Sequence, residues 1–255
     1  MLVLDIRHLF FNIKELYFSE EPFDIPNCDA VIFHNCSKKL TKKGFFCSPS
    51  LTNYINLNRD LDDIFKEFHK KSTRNAILKA EKERIEVRVN KDYDEFYNMN
   101  QLFMKKKGIA PLLNISFDLD ILKKYGTLFT AKLSGELIGG NIYLEDDNYL
   151  RLWISASKRL QVSKQESIII GNSNRLLHWE AIKYAKEKGL KWFDWGGLWD
   201  EKEALADINK YNINSFKLSF GGVTVQKYDY IKDYTFGYSL MKRMYILLNK
   251  VSKYF

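Results

Sequence analysis

Three apolar stretches joined by tight turns, then one long helical repeat, then a short aromatic run, constrain this chain more than any other feature. Leu128–Leu133, Leu137–Leu144 and Tyr149–Ser155 are separated by Ser134-Gly135 and by Asp146-Asp147-Asn148. Those turn residues close hairpins, so the spacing predicts a three-stranded antiparallel meander. From about Glu166 to Lys188 the apolar residues Ile170, Leu177, Ala181 and Tyr184 recur at helical spacing, and Gly189 supplies the helix end. Trp192–Trp195 follows at once as a short buried strand. A long helix that feeds a buried strand covers the sheet it returns to, which is an α/β signal.

The rest of the chain is arranged around that block. Residues 1–58 are the least regular part, with strands expected at Cys28–His34 and Thr52–Asn58, a basic loop from Lys38 to Gly44, and punctuation by Pro22, Pro26 and Pro49. Asp60 is a candidate cap for a helix whose Leu61, Ile64, Phe65 and Phe68 form one apolar stripe. Ser72 and Thr73 are candidate caps for a second helix running through Lys82. With Lys70, Lys71 and Arg74 beside them, that helix start is either an anion-binding corner or a solvated charged turn. Glu86–Val89 alternates as a strand. Residues 92–107 are expected to be helical, ending in Lys105-Lys106-Lys107-Gly108, where lysines suit the helix dipole. Further helices are expected from Ser116 to Lys124, near Glu201–Asn209 and from Leu240 to Phe255, with a strand from Val223 to Ile231. The last helix pairs an apolar face (Leu240, Met244, Leu247, Leu248, Val251) with basic residues, so it either docks on its own domain or lies on a membrane surface.

Two glycine pairs stand out. One ends Lys191-Trp192-Phe193-Asp194-Trp195-Gly196-Gly197; the other ends Phe216-Lys217-Leu218-Ser219-Phe220-Gly221-Gly222. Glycine pairs at strand ends permit positive φ and close approach of backbone to a ligand. The two stretches are either tight turns or the splayed walls of one active site.

Composition narrows the class. The 255 residues are 45% hydrophobic and carry a net charge of +8, so a packed core is expected, with an anionic partner or simply abundant lysine. The three cysteines, Cys28, Cys36 and Cys47, form no Cys-x-x-Cys, and the four histidines are scattered singly. A disulfide framework, a zinc site and a Ser-His-Asp or Cys-His nucleophile are therefore not expected. The first residues lack the pattern of a signal peptide and no apolar run is long enough to span a bilayer, so the expected location is cytoplasmic, with membrane-peripheral contact through the last helix.

The order helix–helix–meander–helix–strand–strand matches the GNAT acyltransferase fold. Four segments resemble the FemABX-like family more narrowly: Lys71-Ser72-Thr73-Arg74-Asn75 through Lys82, Leu177-His178-Trp179-Glu180-Ala181-Ile182 through Lys186, Phe193–Gly197, and Phe216–Gly222. The resemblance covers roughly residues 50–235. It implies an α/β (α+β) GNAT-like mixed sheet flanked by helices, with a reduced N-terminal half, divided as 1–90, 91–235 and a C-terminal helix 236–255. It also implies amide formation: an aminoacyl group from aminoacyl-tRNA, or an acyl group from acyl-CoA, moved to an amine of a cell-envelope precursor or nucleotide-linked sugar. No tightly bound cofactor or metal is expected, and the acceptor is expected to carry phosphate and to be small, lipid-linked or nucleotide-linked. The glycine-rich loop that holds pyrophosphate in CoA-dependent relatives has no counterpart at Lys158–Glu166, where Lys158, Arg159 and Lys164 remain as candidate phosphate contacts.

Lys217 is the lysine that the resemblance places at the transition state, and a cation is what a tetrahedral oxyanion needs; otherwise it is a strand-edge lysine reaching for water. Asp194 is a candidate proton acceptor or a structural carboxylate. Ser72, Arg74, Lys105, Lys106, Lys107 and Arg151 are candidate substrate contacts, with Trp153, Trp195, Gly196, Gly197, Tyr211, Phe216 and Phe220 as candidate cleft lining. A CoA-dependent acetyltransferase for a surface-polysaccharide sugar and a silent adaptor for tRNA or an anionic membrane are the competing expectations.

Overall fold

The computed structural model describes residues 1–8, 10–108 and 118–251, with backbone alone for residue 8 and residues 245–251. The chain forms two compact units: Met1–Ser50 with Gln226–Phe255, and Leu51–Val225. The boundary expected at residue 90 thus falls inside the second unit, and the C-terminal segment belongs with the N-terminal one. The reason is packing: the helices at 61–82 bury Ile64, Phe68, Ile77 and Ala80 in the same core as Leu177 and Ala181 of the long helix.

In the smaller unit, β1 (Leu2–His8) and β2 (Phe11–Tyr17) form an antiparallel hairpin. β2 runs parallel to β3 (Ala30–Cys36), and β3 pairs antiparallel with the later part of the strand Val223–Asp233. The N-terminal stretch is therefore more regular than its sequence suggests. Its strands are short, and Val31, Phe33 and Cys36 pack with Leu16 and Tyr230 rather than announcing themselves by long alternation. The C-terminal helix is Phe236–Val251. Tyr238 anchors it by an edge-on contact with Phe11 at 5.6 Å, while Phe236, Leu240 and Met244 remain exposed. Leu247, Leu248 and Val251 of its expected apolar face have no described side chains.

In the larger unit, β4 (Phe46–Asn56) contributes its residues from Leu51 onward. It is followed by α1 (Leu61–Glu67), a wide helical turn at Lys70–Arg74, α2 (Asn75–Lys82), β5 (Glu86–Val89), α3 (Tyr93–Lys106) and α4 (Leu119–Tyr125). The meander is β6 (Thr127–Leu133), β7 (Glu136–Glu145) and β8 (Tyr149–Ser157); α5 (Lys164–Glu187) and β9 (Trp192–Leu198) come next. The sheet order is β4-β9-β8-β7-β6-β5, and within it only β8 and β9 are parallel. α1, α2 and α5 cover one face, α3 and α4 the other. Fully burying a residue such as Leu177 or Ile182 contributes about 1.5–3 kcal/mol, so the stripe on α5 alone anchors the layer. The expected start of α4 at Ser116 lies outside the described residues. No helix among the described residues is long and apolar enough to cross a membrane.

Three local expectations are corrected. Ser72 and Thr73 are not helix caps: they lie inside the wide turn, whose cap is His69, its ring accepting from Ser72 N at 3.2 Å. The single helix expected near Glu201–Asn209 is two, α6 (Glu201–Ala206) and α7 (Ile208–Leu218), because Asp207 breaks the first and caps the second by accepting from Asn209 N. Phe216–Leu218 is not a strand end but the last turn of α7. Gly221 N donates to Leu218 O, and positive φ at Gly221 and Gly222 (73° and 90°) swings the chain out into β10, Val223–Asp233. A side chain on Gly222 would come within 2.5 Å of the Tyr54 carbonyl, which is why that turn carries glycine.

Candidate active site

The site is a fork in the sheet. β8 and β9 pair in parallel only from Tyr149/Trp192 to Arg151/Asp194. Beyond that β8 stays with β7 while β9 follows β4, with Thr52 opposite Gly197 and Leu51 opposite Leu198. A bulge in the β7–β8 register, with Ile142 opposite Ile154 but Tyr143 opposite Leu152, leaves Trp153 unmatched and bends β8 at this point. Gly196, at φ 70°, lies against the β8 backbone: a Cβ there would stand 2.9 Å from Leu152 O. Only glycine fits the crotch of the fork.

Asp194 ties the fork together. It is 1% exposed, accepts from Arg151 Nη1 at 2.5 Å and from Gly196 N at 2.9 Å, and receives the Thr52 hydroxyl. Thr52 Oγ1 also lies 2.9 Å from Gly196 O. A carboxylate engaged by a cation, a hydroxyl and a backbone N–H is a brace whose two oxygens are both occupied.

Lys217 reaches this fork from the last turn of α7. Its Nζ donates to Gly197 O at 2.6 Å and stands 3.9 Å from where a Gly196 Cβ would be, the same distance as Arg151 Nη2. Burial, then the nearby Arg151 charge, against an opposing contribution from Asp194, lowers the Lys217 amine from 10.5 to about 8. It remains mostly protonated at neutral pH, and its proton is readily given.

An aromatic platform adjoins the fork. Trp195, Phe216 and Phe220 meet at ring-centre distances of 4.5–6.1 Å, and Phe68, just after α1, packs on Phe220 at 5.1 Å. His178 of α5 is buried against Trp195 at 4.7 Å and hydrogen-bonded to the Tyr143 hydroxyl at 2.7 Å. Burial, and then the charges of Lys217 and Arg175, push its imidazole down to about 3, so it is neutral. The Trp195 Nε1–H is buried with no hydrogen-bond partner. The first and last motifs are joined directly by Thr73 Oγ1, which meets Ser219 Oγ at 2.7 Å, and just before the first motif His69 N donates to Ser219 O at the same distance.

The fork therefore gathers Lys217, Asp194, Arg151, Gly196, Gly197, Trp195, Phe216 and Phe220. Other expected residues stand apart. Ser72 is held by His69 in the wide turn, Oγ to Nδ1 at 2.8 Å, and Arg74 has a buried Nε without a hydrogen-bond partner. Lys105, Lys106 and Lys107 are exposed at the end of α3, where Lys106 Nζ donates to Leu160 O at 3.4 Å. Trp153 packs with the α3 core around Phe96, and Tyr211 is half exposed on α7. Sequence reading missed Thr52, His178 and Arg175. Thr52 lay in a strand already expected, but only pairing with β9 sets it against Asp194. His178 lay within a quoted motif, one residue from the helical stripe. A cleft of about 370 Å³ opens along Tyr54, Arg59, Glu67, Trp192 and Gly222, and Tyr54 is the register partner of Asp194.

The sequence matches no family profile and no curated protein. The structure does have relatives. FemX matches over 91% of this chain and 83% of its own, with a TM-score of 0.60 at 13% identity. L-PGS from Bacillus licheniformis matches over 83% and 70%, with a TM-score of 0.53 at 17% identity. A conserved protein of unknown function from Bacteroides thetaiotaomicron matches over 81% and 69%, with a TM-score of 0.51 at 9% identity. The fold is thus similar to that of FemX, in line with the FemABX-like resemblance of the motifs.

Proposed function

We propose that this chain is an acyltransferase that forms an amide by direct attack of an acceptor amine on an activated acyl donor. The observation that carries the reading is the delivery of one cation, Lys217, to the mouth of the β8–β9 fork beside Gly196-Gly197. The attacking amine converts the acyl carbonyl into a tetrahedral oxyanion that the Lys217 ammonium stabilises; its collapse re-forms the carbonyl and breaks the bond to the donor's oxygen or sulfur, which leaves carrying the proton the amine gives up. Asp194 acts as a brace: with Thr52 and Arg151 it holds Gly196 in the crotch and sets the height of the Gly197 carbonyl that orients Lys217. The acceptor is proposed to enter by the cleft at Tyr54 and Trp192.

The donor is proposed to be aminoacyl-tRNA, and the acceptor an amine of a cell-envelope precursor or nucleotide-linked sugar. The α5 N-terminus supports this over acyl-CoA. Ser163 and Glu166 form a capping box, and the Glu166 carboxylate accepts from Ser163 N at 3.0 Å. The helix end is occupied by the chain's own anion, which repels a pyrophosphate. The test offers the protein charged tRNA with labelled amino acids or labelled acetyl-CoA, each with a stem peptide and a nucleotide-linked amino sugar, and follows label into amide by mass spectrometry. Transfer from charged tRNA is expected. Transfer from acetyl-CoA alone replaces the donor assignment, and no transfer from either, with tRNA still bound, favours the adaptor.

A further inference from the structure

One pair of cations beside the fork is left uncompensated. Arg175, on the fourth turn of α5, donates from Nη1 to Gly171 O at 2.9 Å, and its guanidinium carbon lies 5.0 Å from the centre of the Phe216 ring. Its Nε is buried and has no hydrogen-bond partner. The short turn Lys158–Leu160 packs on α5 and carries Arg159, close enough to reinforce the effect of burial, which lowers Arg175's affinity for its proton below that of an ordinary guanidinium. Other cations of the same strands and turn have carboxylates: Lys158 pairs with Glu136 and Arg151 with Asp194. Among the described residues, no ion pair engages Arg159 or Arg175.

A buried guanidinium donor left unsatisfied costs free energy in the empty protein, and an anion that accepts from it removes that cost. A guanidinium clamped flat on an aromatic ring presents its donors in one plane, which suits two oxygens of a phosphate. Phe216, the ring beneath Arg175, is the residue before Lys217, and His178 senses the charges of both. We infer that Arg175 and Arg159 form the seat of a phosphate group of the acyl donor, which fixes the donor's reach so that its acyl carbon meets Lys217. This rests on the transferase reading above. It assigns the donor phosphate to side chains on α5 and the preceding turn instead of to the helix N-terminus, which Glu166 fills.

The test titrates pyrophosphate into the full chain and follows the Arg175 Nε–H signal by ¹⁵N NMR, with affinity from calorimetry. Pyrophosphate is expected to shift that signal, and Arg175→Gln and Arg159→Gln are each expected to weaken binding about tenfold or more. Arg175→Lys, which keeps the charge and loses the planar fork, is expected to recover only part of it. Arg159 is exposed, so its variant reads the site even where Arg175→Gln unfolds. Unchanged pyrophosphate affinity in Arg159→Gln and in a folded Arg175 variant overturns the seat. Competition identifies the source: displacement of pyrophosphate by an RNA stem with a single-stranded 3′ end supports the tRNA donor, and displacement by CoA alone moves the seat to a CoA donor. Displacement by neither overturns the donor assignment of the seat. Should no acyl transfer be found with any donor while the variants still lose pyrophosphate, the transferase reading fails and the anion site stands.

Discussion

Replacing Lys217 with methionine should make this protein more stable and nearly inactive. In the folded chain the amine titrates at about 8 against an ordinary 10.5, so the protonated form is disfavoured by folding. The difference corresponds to an upper bound of about 3 kcal/mol, reduced by solvent screening because the side chain is only partly buried. Against it stands the hydrogen bond to Gly197 O, a charge-assisted contact contributing about 1–2 kcal/mol. Methionine keeps a flexible apolar stem of similar length. The net expectation at pH 7 is a gain of about 1 kcal/mol. The sign with pH follows from the unfolded chain holding its proton longer: the penalty on wild type is fully present below pH 8 and fades as pH rises from 8 to 10.5. The advantage of Lys217→Met should therefore shrink and reverse at high pH. Transfer should fall about 10²–10³-fold, the effect of deleting one oxyanion donor. Urea unfolding of both proteins at pH 7 and 9.5, with label-transfer rates at pH 7, decides it. A variant that is less stable at pH 7, or one that transfers at the wild-type rate, refutes the reasoning.

Other perturbations separate brace from chemistry. Arg151→Met leaves the buried Asp194 without its cation and should cost about 3 kcal/mol, read as a lower urea midpoint with an unchanged slope. Gly196→Ala should be at least as damaging to transfer as to stability, because its Cβ would press on Leu152 O at 2.9 Å in a left-handed conformation; a rate within twofold of wild type would contradict the crotch geometry. His178, held near 3, should show no ring titration by NMR between pH 5 and 8; its folded form loses stability only as pH falls below the ordinary 6.5 toward 3.

Much of this was legible from residues alone. The meander and α5 were visible because hairpin turn residues and a helical apolar stripe act locally. The splay was expected at the right glycine pair but between the wrong partners. Phe216-Lys217-Leu218 looks like a strand end in sequence, since two bulky aromatics before glycines suit either a strand or a helix terminus. Asp207 decides it by capping α7, and helical geometry then sets Phe216 against Trp195 and His178 and brings Lys217 to Gly197 O at the fork. The basic run Lys105–Lys107 drew attention by composition, yet it stands exposed at the end of α3.

Sequence by itself determined the local grammar: which stretches pair as a hairpin, which helix is long, and which glycines must turn. Those depend on neighbours within a few residues, so they are written in the order of the chain. The fork was decided only by tertiary structure. Thr52, Arg151, Asp194, Gly197 and Lys217 come from β4, β8, β9 and α7, and no spacing encodes that Thr52 lies opposite Gly197 or that Arg151 lies opposite Asp194. The lowered proton affinity of Lys217 arises the same way, from burial and from the charge of Arg151, a residue 66 positions earlier in the chain (217 minus 151). Burial and long-range charge are properties of the packed molecule, and the glycine at 196 matters because β8 passes behind it.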